Sequence, residues 1–376
     1  MKQQQRRAGS APEAPQGPPA RLRLGPGLWL AGEGAWEAAA AELAAWPQPI
    51  GLLGEAGLLK LFRKPLGAAF LESGLHVELL ARPDGGDCDE AALAALLADA
   101  KVRNVRSLLA FGGGRMLDLG KLAARRGGWR LATLPSSVAT CAAASAVAVL
   151  NRDGAYGEVL DLGAPAELCA VETPVLRAAP ARLLAAGLAD TLAKWLEWRA
   201  VEGAPGSFGA GAGWALARLA AETVENLGAA ALEACGQGRN AAAGGGRGLA
   251  ALDACMEACL LQSAAASCAG EAPAAAAHSL ANALSRQAPG RNLLHGEAVG
   301  LGLLWQEALL KSVERENMEP ERLKALLTTW GLPVALPPGL DLDRLCQDAT
   351  AGEESVHLLG LGLDRGAARR HLPVDA

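Results

Sequence analysis

The 376-residue sequence is poor in aromatic side chains, which make up 4% with a single Tyr, and it has no excess of positive charge. Lys and Arg number 35 against 40 Asp and Glu, a formal net charge of −5. So few rings offer no base-stacking platform, and a mildly acidic chain lacks the electrostatic footprint of a nucleic-acid binder. No run approaches the ~20 apolar residues of a membrane span. Arg6 and Arg7 are followed by Gly, Ser and Pro rather than an apolar segment, so the start does not read as a signal peptide. Cys88, Cys141, Cys169, Cys235, Cys255, Cys259, Cys268 and Cys346 are irregularly spaced. They imply no disulfide framework, and a reduced, cytoplasmic setting is the simplest expectation.

What the chain does have is apolar material, 51% of residues against 20% charged, which suits a folded domain with a sizeable core. Ala is abundant, which favours helix and blurs hydrophobic periodicity. Residues 1–20 are polar and Pro-rich and read as a disordered tail. From 21 to 175, short apolar runs alternate with helical stretches. Strands are expected at Pro49–Leu53, His76–Ala81, Ser107–Phe111, Arg130–Leu134, Ala146–Leu150 and Glu167–Val171, with helices such as Asp89–Ala100 and Met116–Arg125 between them. That alternation predicts a layered α/β domain with a mostly parallel sheet. From 176 to 376 the strands disappear. Leu183–Ala200 puts Leu188, Leu192, Trp195 and Leu196 on one helical face, and helices follow near 211–233, 248–264, 272–286, 297–314 and 319–329. The Gly-rich stretch 241–248 reads as a loop. The expected site lies in the cleft between an α/β and an all-α domain, near the strand carboxyl ends.

Two groups of residues carry chemistry. The first is Gly112, Gly113 and Gly114, between an apolar strand and a helix. Three glycines allow close backbone approach, and the helix N-terminus offers free N–H groups, a combination suited to pyrophosphate. The dinucleotide fingerprint is not met, because Leu117 stands at its third glycine, and no Gly-Lys-Ser/Thr follows. An ordinary tight turn fits equally. Asp118 and Lys121, one helical turn apart, read as an exposed i,i+3 pair.

The second group is Asp190, His278 and His295. His278 lies in an apolar helical stretch with Asn282 at i+4, and His295 stands just before a strongly apolar helix. A His at a helix N-terminus is held toward the neutral form that a metal needs. Asp190 lies among small and apolar residues, with Lys194 at i+4 offering the plainer reading of a surface ion pair. Two His and one carboxylate form a ligand set of catalytic zinc and iron sites, although spacing does not show that they converge.

Taken in order, these stretches resemble the iron-containing alcohol dehydrogenase superfamily, and within it the glycerol dehydrogenase-like branch. Its Gly-Gly-Gly-x-x-x-Asp-x-x-Lys turn is matched by Gly112–Lys121, and its Pro-Thr-Thr-type segment by residues 134–150. Pro180, Arg182, Gly187 and Asp190 match a Pro-x-Arg…Gly-x-x-Asp segment, while Ala277–His278 and His295–Gly296–Glu297 match an Ala-His…His-Gly-Glu pair. The resemblance spans about residues 21 to 310. It implies a dehydroquinate synthase-like fold, an α/β N-terminal nucleotide-binding domain followed by an all-α C-terminal metal-binding domain. It implies a divalent metal (Fe, Zn or Mn) on Asp190, His278 and His295, and NAD or NADP contacts from Gly112, Gly113, Gly114, Asp118, Ser136, Ser137 and Ser145. Glu55, after the run PIGLLGE, offers an acceptor for a ribose 2′-hydroxyl, which favours NAD, or simply an acid at a helix start.

One departure bears on substrate. Where glycerol dehydrogenases carry Asp after Ser-Thr, this chain has Cys141, a neutral thiol unless its pKa is lowered. The segment around it and Gly-x-x-Asp-Thr-Leu-Ala-Lys-Trp look more like the hydroxycarboxylate dehydrogenase subgroup, so the expected reaction is hydride transfer between nicotinamide and a 2-hydroxy acid or 2-oxo acid. The alternatives are a polyol such as glycerol, a catalytically degenerate member, and a dehydroquinate-synthase-like lyase, whose Gly-Gly-Lys-Thr segment is absent here. Cys141 also reads as a small core residue. Cys255, Cys259 and Cys268 read as core thiols rather than a second metal site. The cluster Arg365, Arg369 and Arg370 reads as a solvated end. The expected partner is a small-molecule substrate, with no nucleic acid and no membrane; the resemblance also allows a homo-oligomer.

Overall fold

The computed structural model describes residues 22–201, 208–235, 246–269, 273–315 and 317–374. The tail expected at 1–20 and residues 241–245 of the Gly-rich stretch lie outside them.

The first part of the chain runs β1 (Leu28–Gly32), α1 (Ala35–Leu43), β2 (Ile50–Glu55), α2 (Ala56–Leu61), α3 (Arg63–Leu66), β3 (Val77–Arg82), α4 (Glu90–Val102), β4 (Ser107–Gly112), α5 (Gly114–Gly127), β5 (Arg130–Pro135), β6 (Val147–Arg152), β7 (Ala155–Asp161), β8 (Leu168–Glu172) and α6 (Thr173–Arg177). Six strands form one all-parallel sheet in the order β1-β8-β5-β4-β2-β3. Its inner strands are near-continuous apolar runs, buried along their length, as a sheet covered on both faces requires. On one face Leu93, Leu96, Leu119 and Leu122 of α4 and α5 pack with Leu53 and Leu108. On the other, Trp36 and Leu43 of α1 and Phe70 pack with Leu109, Phe111 and Leu134. Trp36 meets Phe111 edge-on at 5.5 Å, a geometry that adds to simple burial.

The strand order positions the site. From β2 the chain moves outward to β3, then crosses back to lay β4 on the other side of β2. The carboxyl ends of β2 and β4 therefore flank the topological switch point, where open parallel sheets bind ligands.

Two features differ from the sequence expectation. Strand β1 was not foreseen. The run expected as a sheet strand at Ala146–Leu150 is β6, which pairs antiparallel with β7 in a separate hairpin. Asp153 and Gly154 close that hairpin at φ 54° and 72°, the positive values that a two-residue turn matched to strand twist demands. The hairpin rests on α5, and Tyr156 N donates to Ser285 Oγ (3.1 Å) in the helical region.

That region comprises α7 (Ala181–Ala200), α8 (Phe208–Ala234), α9 (Gly246–Glu257), α10 (Ser263–Cys268), α11 (Ala276–Ser285), α12 (His295–Lys311), α13 (Pro320–Thr329), α14 (Leu342–Ala349) and α15 (Arg365–Arg370). A π-helical turn at Ala258–Gln262 joins α9 to α10, so Gly246–Gly248 open a helix rather than a loop. Contrary to expectation, the joined helix 246–268 is long and apolar enough to cross a membrane by length and composition. It is instead mostly buried against α8, α7 and the end of the sheet domain, because its Ala, Leu and Cys side chains fill the core between them. All eight cysteines are free.

Candidate metal centre and cofactor crevice

Three helices deliver the three expected ligands to one point. Asp190 comes from the middle of α7, His278 from the first turns of α11, and His295 is the first residue of α12. Asp190 Oδ1 lies 3.6 Å from His278 Nε2 and 3.5 Å from His295 Nε2. The three ligand atoms all lie within 4.8 Å of one another, and Asp190 Oδ1 is buried with no hydrogen-bond partner. Such distances are too long for good hydrogen bonds. They match the spacing of about 3.4 Å between ligands on a tetrahedral cation with bonds of about 2.1 Å. A divalent metal therefore fits these residues, and it satisfies a carboxylate oxygen that the protein itself leaves bare.

Close backbone approach makes this convergence possible. A Cβ at Gly296 would collide with the Ala186 carbonyl of α7, and one at Gly187 with the Val138 carbonyl after β5. Without a side chain at either position, the start of α12 and the loop following β5 both reach the turn of α7 that precedes Asp190. Glu297 secures the first contact. It forms a bidentate pair with Arg182 of α7 (2.6 and 2.7 Å) and accepts from Leu294 N (2.7 Å), capping the helix that His295 begins.

A fourth residue, not singled out from sequence, completes the centre. Buried Glu197, two turns after Asp190 on α7, accepts from Ala275 N (2.7 Å) and His278 N (3.0 Å) through Oε1, and its Oε2 meets His278 Nδ1 at 2.5 Å. With Nδ1–H donating to this carboxylate, the Nε2 lone pair faces Asp190. The only sequence signal was the i, i+4, i+7 spacing of Asp190, Lys194 and Glu197 on one helical face.

Charge in the metal-free centre is strongly coupled. Burial alone would raise the Asp190 carboxyl, but Lys194 and the two imidazoles outweigh it and hold it well below the ordinary range. Burial also raises Glu197, and His278 with the two backbone donors outweighs that. For His278 burial lowers the pKa, and Glu197 and Asp190 reverse the effect and push it up to about 9. Lys194 forms no ion pair with Asp190: among the described residues no carboxylate lies within ion-pair distance of its Nζ. The surface-pair reading of these two residues is thus corrected, since Asp190 is buried and faces the imidazoles.

The remaining candidates fall into separate places. Glu55 ends β2 and Gly112 ends β4, so Glu55 and the Gly112–Gly114 turn flank the switch point. Ser136 and Ser137 follow β5 on the next strand, with Ser136 N donating to Gly112 O (2.9 Å). Helix α5 begins there with no side-chain cap. Its free N–H groups fit a cofactor phosphate. Glu55 makes no side-chain cap to α2 and has no hydrogen-bond or ion-pair partner among the described residues. Asp118 and Lys121, read as an exposed pair, are instead buried. Lys121 Nζ meets Asp118 Oδ1 (2.7 Å), Ser145 Oγ (3.2 Å) and the Val147 carbonyl, and Asp118 Oδ2 accepts from Val149 N (3.1 Å). Cys141 is buried with Ala144, Ala264 and Trp29, and burial pushes its thiol up. Asn282 donates to Glu354 (3.1 Å). Cys255 and Cys259 are buried, Cys268 is half-buried, and none joins a metal-holding group among the described residues. Arg365, Arg369 and Arg370 are exposed, with Arg369 paired to Asp343.

Comparison with known proteins adds four findings. The model of the family "Iron-containing alcohol dehydrogenase" matches residues 26–169. A glycerol dehydrogenase of Escherichia coli O6:H1 is 31% identical over 320 residues, covering 81% of this chain and 83% of its own, whereas hydroxycarboxylate dehydrogenase A of Escherichia coli K12 is 35% identical over 114 residues, covering 30% of this chain and 31% of its own. The crystal structure of a probable glycerol dehydrogenase from Sinorhizobium meliloti 1021 superposes with a TM-score of 0.78 at 23% identity, over 93% of this chain and 96% of that one.

Proposed function

The chain belongs to the iron-containing alcohol dehydrogenase family, and from that premise we propose that it transfers hydride between NAD(P) and a small substrate bearing oxygens on neighbouring carbons, with the reacting oxygen at Asp190, His278 and His295. The observation that carries this reading is the bare, buried Asp190 Oδ1 facing two imidazole nitrogens. The chemistry supplied there is Lewis-acid polarisation of the substrate oxygen, with the nicotinamide carrying the hydride.

The chain's own residues bind and orient. Asp190, His278 and His295 hold the metal, and Glu197 keeps the Nδ1 proton of His278 so that Nε2 is free to ligate. The Gly112–Gly114 turn and the α5 N-terminus take the cofactor phosphates, with Ser136 and Ser137 beside them. Glu55 accepts from the adenosine ribose, which favours NAD over NADP.

Polyols come first as substrates. Relatives that span most of this chain include a glycerol dehydrogenase, while the hydroxycarboxylate relative matches less than a third of it. This ranking reverses the expectation drawn from Cys141. The 2-hydroxy acid reading stays as the second, favoured by one specific observation: the thiol of Cys141 is buried and held neutral, so no carboxylate at this position repels an anion.

The test is NAD(P)H oxidation by protein stripped of metal and reloaded separately with Fe²⁺, Zn²⁺ or Mn²⁺, against dihydroxyacetone, glycolaldehyde, 2-oxobutanoate, 2-oxoglutarate and oxaloacetate. Metal-dependent turnover that is lost in Asp190→Ala and His278→Ala supports the proposal. Cofactor binding without turnover under any metal points to a degenerate member and overturns it.

A further inference from the structure

Lys194 stands one turn after Asp190 on the same face of α7 and is only partly exposed. A lysine so placed ordinarily pairs with a carboxylate, yet this one has no ion-pair or hydrogen-bond partner among the described residues. Its charge nonetheless reaches into the centre: Asp190, Glu197, His278 and Cys141 respond to it or act on it. Asp190 and Glu197 favour the ammonium through space, but Asp190 faces the imidazoles and Glu197 binds His278 and two backbone N–H groups, so neither pairs with it. Cys141 offers it only a neutral thiol.

The local charge balance has a consequence for substrate. With a divalent cation on Asp190, His278 and His295, the two carboxylates Asp190 and Glu197 cancel the metal's charge, and Lys194 leaves one positive charge over. A partly buried ammonium without a partner is an incomplete interaction, and a carboxylate brought in by the ligand completes it.

We infer that Lys194 is a specificity-determining residue: its ammonium receives a carboxylate on the carbon next to the reacting one, so the centre prefers 2-oxo acids and 2-hydroxy acids to neutral compounds of the same size. The inference rests on the proposed reaction for the position of the reacting oxygen, and it promotes the second of the two substrate readings.

The test compares binding of oxamate, a non-reducible analogue of a 2-oxo acid, with that of its neutral counterpart oxamide. Calorimetry is run on Zn²⁺-loaded protein with NADH, for the wild type, Lys194→Met and Lys194→Arg. The wild type is expected to prefer oxamate. Lys194→Met is expected to weaken oxamate by about 10- to 100-fold, the loss of a charge-assisted hydrogen bond, while zinc binds at least as tightly, NADH binds as before and Lys194→Arg retains part of the preference. In parallel, KM for 2-oxobutanoate should rise in Lys194→Met while KM for hydroxyacetone stays level. Equal binding of oxamate and oxamide by the wild type overturns the inference without any variant, and so does undiminished oxamate binding by Lys194→Met. A wild type that binds oxamate through Lys194 but turns over nothing overturns the proposed reaction and leaves the anion site standing. Turnover of both substrate classes independent of Lys194 does the reverse.

Discussion

Replacing Glu197 by Gln changes no bond lengths and almost no volume, but it reverses the hydrogen-bond logic behind His278. In the protein, Oε1 of Glu197 accepts from two backbone N–H groups and Oε2 accepts from Nδ1 of the imidazole. A Gln has one oxygen. If that oxygen stays with the Ala275 and His278 N–H groups, the NH₂ meets Nδ1, which must then accept, and the ring proton moves to Nε2. Nε2 then has no lone pair for a metal. If the amide flips, the NH₂ faces two donors and both buried N–H groups lose their acceptor, at about 1–3 kcal/mol each. Either way the metal-competent tautomer is disfavoured, and partners of this kind are worth about 10- to 100-fold in metal affinity, or roughly 1.4–2.8 kcal/mol. Competition of Zn²⁺ against a calibrated chelator, at fixed pH, reads this directly, with circular dichroism confirming that the variant is folded. Glu197→Gln with wild-type zinc affinity would refute the reasoning, because the tautomer would then be set by something other than this carboxylate.

Three further outcomes follow from the same geometry. The pKa of His278 in the metal-free protein is pushed up to about 9 from an ordinary 6.5. Its contribution to stability is therefore complete below about pH 6.5 and is lost as pH rises through about 9. Urea denaturation of the metal-free protein should show stability falling across that window, by at most about 3 kcal/mol, and the fall should vanish in His278→Ala. Lys121→Met leaves Asp118 buried without its cation, so a loss of about 3–5 kcal/mol is expected in the same assay; a loss under 1 kcal/mol would mean that the pair carries little. Glu55→Ser removes an acceptor at the end of β2, and the ratio of kcat/KM for NADH over NADPH should fall by about tenfold or more. An unchanged ratio would place ribose recognition elsewhere.

The candidate ligands were legible in the sequence, but their convergence was not. Asp190, His278 and His295 stood out as a carboxylate among apolar neighbours and two rare His near helix starts. What brings them together is the close passage of backbones at Gly187 and Gly296, which meet Val138 and Ala186, residues far from them in the chain. Glu197 was missed because a Glu on an Ala-rich helix looks like any solvated acid; only tertiary packing turns it inward, where it is fully buried. The hairpin was misjudged for a different reason. Ala146–Leu150 is apolar enough for a sheet strand, yet β6 alternates half-buried and buried positions, the pattern of a strand covered on one side only. Asp153–Gly154 carried the turn signal. Strand β1 is five residues with little flanking punctuation, and it gains its place by pairing with β8 at the far end of the chain's first part.

The motif Gly-Gly-Gly-x-x-x-Asp-x-x-Lys mixes two kinds of residue that a sequence pattern cannot separate. Its glycines and the helix N-terminus after them lie at the crevice, open to a cofactor phosphate. Its Asp118 and Lys121 point the other way, into the protein, where they hold Ser145, Val147 and Val149. Those three residues are the end of the loop after β5 and the start of the hairpin. The same loop carries Ser136 and Ser137 after β5, Val138 against Gly187 of α7, and Cys141, which feels the charge of Lys194. The buried pair therefore acts at a distance: it fixes the far end of this loop, while Ser136 N on the Gly112 carbonyl holds the near end. Asp118 and Ser145, which the resemblance assigns to cofactor contact, have partners inside the protein as well.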